Sequence, residues 1–361
     1  METKNVQNCE SGSWKKIMMY SEGLATVKDM NGKWGFIDKS GKLVIPCKWK
    51  AAGEFREGLA IVKDMNDLWG CIDTSGNLVS PCQWKSVMYF QEGLAGVQAD
   101  NDKYGFIDKS GKLVSPCQWK SASGFYKGFA NVQADNDKYG FIDKMGKVVI
   151  PCVWKYAGLL EELTFVKGDN DKWGYIDKSG NLVIPCKWTG ALWFSEGMAG
   201  VRDDNGKWGF IDKSGKLVIP CSWKHVFVFR EGLCAVKDMN DLWGCIDTSG
   251  NLVSPCKWKY AVLFHEGLAR VKDDNDKYGF IDKSGKLVIP CKWKDADEFR
   301  EGLAGVRDDN GKWGFIDKSG ELVIPCVWSK VWEFKDGQCY VKEKSDCMWL
   351  EIDRNGNLVE S

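Results

Sequence analysis

The chain has 361 residues, enough to bury a large apolar surface, and its 50 Lys plus Arg balance its 50 Asp plus Glu. That balance argues against nucleic acid and an acidic membrane surface as partners. The opening METKNVQNCESGSW lacks the apolar core of a signal peptide and no stretch of about 18 apolar residues follows, so a soluble, cytoplasmic protein is expected.

Residues 1–13 read as an N-terminal tail. From Trp14 onward the chain repeats itself. Marker tryptophans stand at Trp14, Trp49, Trp84, Trp119, Trp154, Trp188, Trp223, Trp258, Trp293 and Trp328, and they open ten repeats of about 35 residues. Between them an aromatic-Gly pair recurs nine times, from Trp34-Gly35 to Trp313-Gly314, and all nine prolines fall in Pro-Cys pairs two residues before a marker. Repeat five lacks one Gly, reading Leu160-Glu161-Glu162-Leu163, and an extra residue precedes Trp349 in repeat ten. The segment Lys63 to Cys82 returns unchanged as Lys237 to Cys256, which points to duplication of a five-repeat block.

Within the first repeat Leu24 to Lys28 reads as a strand, Asp29-Met30-Asn31-Gly32 as a tight turn and Trp34 to Ile37 as a second strand. Asp38-Lys39-Ser40-Gly41 then turns the chain into a third strand, Lys42 to Ile45, which Pro46 ends because it has no N–H to offer a ladder. The fold class expected is therefore all-β: a tandem array of ten three-stranded antiparallel units, forming an open superhelical array, with a closed propeller-like ring as the alternative. Nine repeats over 14–327 form one continuous array. Residues 328–361, which replace the aromatic-Gly pair by Trp349-Leu350, read as a degenerate capping repeat.

The recurring aromatic-Gly-x-Ile-Asp-x-x-Gly-x-Leu-Val-x-Pro core is similar to the bacterial WG, or KWG, repeat, and it covers nearly the whole chain from Trp14. The resemblance implies tandem β modules with an interaction-related role and carries over no catalytic residue. Pro-Cys-x-Trp departs from the family pattern, so the cysteine ladder is a local peculiarity.

Chemistry-bearing residues each have a structural explanation. The Gly after the aromatic suits close backbone approach, and the Asp of Ile-Asp suits a turn whose N–H groups it accepts. The nine Pro-Cys cysteines lack the paired spacings or His partners of zinc sites, so they read as buried and reduced. The two histidines, His225 and His265, sit at different places in their repeats with no recurring nucleophile. No enzyme, no cofactor and no metal site is expected.

Function should lie where repeats differ. The third residue after each marker is small or medium and apolar and the sixth is aromatic or Leu, as core positions would be. The second, fourth and fifth range from charge to large hydrophobe. Met18, Met19, Tyr89, Trp193, Phe227, Tyr260 and Trp332 are therefore the expected contact residues of a non-enzymatic binding or scaffolding protein with a protein or peptide partner. Multivalent carbohydrate binding and self-association into a structural protein are the alternatives, and packing against the next repeat is the plain structural explanation of the same residues.

Overall fold

The computed structural model describes residues 14–344 and 349–359. The expected tail and the extra residue just before Trp349 lie outside the described residues. The described elements are β-strands, in nine four-stranded sheets and one three-stranded sheet in the tenth repeat.

Four strands per repeat correct the three-stranded expectation. In repeat three the strands are Ser86–Val87, Leu94–Gln98, Tyr104–Asp108 and Leu113–Trp119. Here the first is two residues long, too short to show alternation, and pairs only Val87 with Val97 and Ser86 with Gln98, whereas in repeats one and two it runs over six residues, Lys16–Ser21 and Ala51–Arg56. The outer strand also continues through Pro116 instead of ending there. It lies at the sheet edge, where a missing N–H breaks no ladder and discourages edge-to-edge pairing. Propeller blades likewise have four strands, so strand count no longer argues for an open array over a ring.

The bulge around Pro116 explains the aromatic-Gly pair. Tyr104 faces Trp119 and Phe106 faces Ser115, with the register shifting between them at Gly105. A Cβ on Gly105 would lie 2.5 Å from the Ser115 carbonyl oxygen and 2.8 Å from Cys117 Sγ. The expected close backbone approach is what the outer strand imposes.

A third tight turn in the repeat was not read from the sequence. Glu92-Gly93 joins the first two strands of repeat three with both residues at positive φ, 54° and 86°, as in a two-residue type I′ hairpin. Such a conformation costs a non-glycine residue about 1–2 kcal/mol. Hydrogen bonds from the preceding repeat offset it: Glu57 accepts the N–H groups of Glu92 and Gly93 at 2.7 and 2.8 Å.

The chain divides into two compact units, Met1–Thr164 with Lys178–Asn181, and Phe165–Asp177 with Leu182–Ser361. In the first, cores form between successive sheets, as where Phe36, Ile45 and Trp49 pack with Phe55, Val62 and Ile72. Phe36 meets Phe55 edge-on with ring centres 4.8 Å apart, a contact worth about 0.5–1.5 kcal/mol beyond burial. The carboxylate staple recurs from Glu92 to the N–H groups of Lys127 and Gly128 at 2.6 and 2.9 Å. Repeat four then has Lys127 where its neighbours have Glu, and the ammonium pairs with Glu161 at 2.8 Å instead.

In the second unit the same rule holds without that exception. Phe210 with Phe229, Phe280 with Phe299 and Phe315 with Phe334 make edge-on contacts at 4.8, 4.9 and 4.8 Å. Glu196 accepts from Glu231 and Gly232, and Glu301 from Asp336 and Gly337.

Marker tryptophans differ in one respect along the whole chain. Trp84, Trp119 and Trp258 donate Nε1–H to the hydroxyl of Ser80, Ser115 and Ser254, four residues earlier, at 3.1, 3.2 and 3.3 Å. Where that serine is isoleucine, the buried indole N–H of Trp49, Trp154, Trp188, Trp223, Trp293 and Trp328 has no acceptor among the described residues. Those repeats gain apolar burial at Ile and forgo a hydrogen bond, terms of similar size.

Candidate functional site

The expected contact residues divide by exposure. Met18, Tyr89, Trp193 and Trp332 are exposed, at 44%, 40%, 55% and 48%, whereas Met19, Phe227 and Tyr260 are half-buried. Tyr89 lies under the Arg56 guanidinium at 4.5 Å. Met18, Met19 and Tyr89 belong to the first unit, and Trp193, Phe227, Tyr260 and Trp332 to the second.

The fourth position after the marker has a packing reason for its variety. In repeats two, three, six and nine it lies against the twelfth position, on the neighbouring strand, with one of the two a glycine and the other larger. Met88 stands against Gly96, where a Cβ would come 2.8 Å from its sulfur, and Leu192 against Gly200. Repeat two inverts the pair: Gly53 is the small member, and a Cβ there would come 2.9 Å from Ile61. In those repeats the fourth position is one half of a slot, and its variation alone does not mark a working surface.

Two features of the second unit go beyond slot filling. The first is an aromatic strip over repeats seven and eight. Phe227 stacks on Trp243 with ring centres 5.2 Å apart and 26° between planes, and His225 lies edge-on to Trp243 at 5.5 Å. Tyr260 lies edge-on to Trp243 at 6.2 Å. The Arg270 guanidinium then lies 6.0 Å from the Tyr260 ring and 5.2 Å from that of Tyr278. Phe227 stacks within its own repeat and also packs against core residues of repeats six and eight, and Tyr260 reaches Trp243 from the next repeat, as the plain structural explanation holds, while both keep part of their surface in solvent.

The second feature begins where the strip ends. Arg270, Asp297, Glu298, Trp332 and Glu333 line an open cleft of about 380 Å³ over repeats eight to ten. Asp297 occupies the slot position that holds Met88, Leu192 or Phe227 elsewhere, and Gly305 leaves room for its carboxylate. Burial pushes its carboxyl above the ordinary range, with Arg270 acting in the opposite direction. Glu298 pairs with His265 Nε2 at 2.8 Å and Glu333 with Arg300 Nε at 2.8 Å. Trp332 stands edge-on to Trp349 at 5.6 Å.

Of the expected residues, Trp332 lines this cleft, and Phe227 and Tyr260 lie in the strip leading to it. Arg270, Asp297 and Glu298 were passed over. Asp297-Glu298 read as a charged interruption of an apolar stripe, and Arg270 stands at the twelfth position, outside the window read for variation. The signal was available, since Arg270 is the one cation among the twelfth-position residues, which elsewhere include Thr26, Ile61, Gly96 and Gly200.

Asp38 accepts the N–H groups of Ser40 and Lys42 at 2.9 and 3.0 Å, so the Ile-Asp aspartate organises its turn. Among the described residues no cysteine is in a disulfide, and no cluster of three His, Cys, Asp or Glu is placed to hold a metal ion. The Pro-Cys thiols are half-buried, short of the burial expected, because each lies over the aromatic-Gly pair at the sheet edge. Cys71, Cys234, Cys245 and Cys339 are the buried ones. Burial raises the thiol of Cys256 to about 11 and of Cys245 to about 12. Among the described residues no helix is long and apolar enough to cross a membrane.

A family model described as WG containing repeat matches ten consecutive segments, 14–34, 34–69, 69–104, 104–139, 139–170, 173–208, 208–243, 243–278, 278–313 and 313–345. No curated protein matches the sequence. Among solved structures, the computationally designed Ika8 protein is similar at 10% identity over 75% of this chain and 98% of that one, with a TM-score of 0.37. BamB from Moraxella catarrhalis is similar at 9% identity over 62% and 79%, with a TM-score of 0.32. The extracellular domain of the putative hybrid two component system BT3049 from B. thetaiotaomicron stands at 8%, 96% and 57%, with a TM-score of 0.26. Likenesses this low carry nothing about function.

Proposed function

Because this chain belongs to the WG-repeat family, whose units here share one scaffold and differ in one slot, we propose that it is a non-enzymatic binding protein for a protein or peptide partner. Its working surface is the aromatic strip and cleft of repeats seven to ten. The observation that carries this reading is the pair of half-buried rings, Phe227 and Tyr260, set on the buried Trp243, with Arg270 continuing from Tyr260 into the cleft that Trp332 lines. Aromatic and Arg side chains of that kind supply most of the energy at interfaces. The residues lining the cleft offer charge and an aromatic face and include no Ser, Cys or Thr nucleophile.

A displayed peptide library panned against the full chain tests this. Sequences enriched on the wild type should lose binding to Trp332→Ala, with the melting temperature within a few degrees of wild type. The same sequences retained on Trp332→Ala and on Tyr260→Ala would sink the assignment.

Self-association is a second reading with its own support. Outer strands expose paired apolar residues, among them Leu43-Val44, Leu182-Val183, Leu217-Val218 and Leu322-Val323, and the net charge is zero. Light scattering that stays monomeric over a hundredfold range of concentration would remove it.

A further inference from the structure

We propose that the cleft lined by Arg270, Asp297, Glu298, Trp332 and Glu333 takes the cationic end of a basic side chain, an ammonium or a guanidinium, from a peptide partner. This rests on the binding reading above and adds the chemistry of what is bound.

Charge comes first. Three carboxylates and one guanidinium line the cleft. Glu298 and Glu333 are already engaged, by His265 and Arg300 from outside the lining. The side chain of Asp297 makes no hydrogen bond or ion pair among the described residues, although it is half-buried in a slot built for an apolar group. A carboxylate so placed costs free energy unless something pairs with it. Arg270 acts on it only through space and forms no ion pair with it: its guanidinium lies on the rings of Tyr278 and Tyr260, and its buried Nε has no acceptor among the described residues.

Shape and ring chemistry select among the groups that could complete the site. An anion would meet three carboxylates and is disfavoured. A cation finds the open carboxylate of Asp297 on one side and the exposed Trp332 indole on another, and the indole face attracts cations by about 0.5–2 kcal/mol. A cleft of about 380 Å³ open to solvent has room for the end of a side chain. Trp332 fills the slot position of repeat ten as Asp297 fills that of repeat nine, so two successive slots present carboxylate and ring to the same space.

The probes are the capped tripeptides Gly-Arg-Gly and Gly-Lys-Gly and the neutral, nearly isosteric Gly-citrulline-Gly, titrated against the full chain by ligand-observed NMR. The arginine and lysine peptides should bind, and citrulline roughly tenfold more weakly, as expected when a charge-assisted contact is lost. Asp297→Asn should weaken the arginine peptide by a similar factor without lowering the melting temperature, and Trp332→Ala should also weaken it. Met145→Ser, exposed and in the first unit, should leave binding unchanged. Citrulline binding as tightly as arginine, or Asp297→Asn binding like wild type, overturns the proposal. If library-selected peptides bind Asp297→Asn at full strength, the peptide-binding reading stands and this one falls. If the charged tripeptides bind while no library peptide is retained, the cation preference stands and the peptide partner falls.

Discussion

Repeats two and nine face the same packing problem and answer it differently. In repeat two the slot holds Gly53 against Ile61, small against large, and nothing polar is left over. In repeat nine it holds Asp297 against Gly305, which satisfies volume as well but places a carboxylate where hydrocarbon would serve. Variation between repeats is therefore a poor guide to function when it is compensated across a strand pair. Variation that leaves a charge uncompensated is a better one, because folding alone gives no reason for it.

The sharpest contrast to either slot is a position with no freedom. Gly105→Ala should destabilise by more than about 3 kcal/mol, since its Cβ would meet backbone that cannot move aside. A chemical-denaturation midpoint close to wild type would show that the outer strand yields more than the bulge geometry allows.

The complementarity of the slot can be broken and restored. Gly53→Met alone should cost about 1–3 kcal/mol by overpacking, and Ile61→Gly in the same chain, copying repeat three, should recover part of it. A double-mutant cycle showing coupling below about 0.5 kcal/mol would mean the two positions vary independently.

The charged end of the comparison is sensitive to pH. Burial lowers the His265 imidazole below its ordinary value, with Glu298 opposing the shift and Arg230 and Arg300 adding to it. The unfolded chain thus takes up the proton first, so stability is full above about pH 6.5 and declines below it. His265→Gln should flatten that part of the melting-temperature profile, and an unchanged slope between pH 7 and 5 would contradict it.

The smallest effect is expected at Trp193, more than half exposed. Trp193→Ser should change stability by no more than about 0.5 kcal/mol. Phe227→Ser should cost more, because its ring stacks on Trp243. Equal costs in thermal denaturation would erase the distinction between surface and inter-repeat rings.

Much of this construction was readable beforehand, and the limits have physical causes. Period, strand type, the Asp38 turn and the close approach at Gly35 follow from local residue chemistry, which a sequence displays directly. From repeat three onward the first strand is two residues long and shows no periodicity, and the Glu92-Gly93 hairpin was missed because Glu is a poor advertisement for positive φ. That conformation is stabilised by Glu57, a repeat away. The cleft was missed for the same reason: Arg270 and Asp297 stand 27 residues apart in sequence, and only the packing of successive sheets makes them neighbours.

The central claim, that repeats seven to ten carry the working surface, is tested most directly by amide hydrogen exchange of the full chain with and without a library-selected peptide. The account predicts added protection around Tyr260–Ala261, Asp295–Ala296 and Lys330–Val331, the short first strands beneath the strip and cleft. Protection confined to repeats one to four, or to hairpin turns such as 273–276, would contradict it.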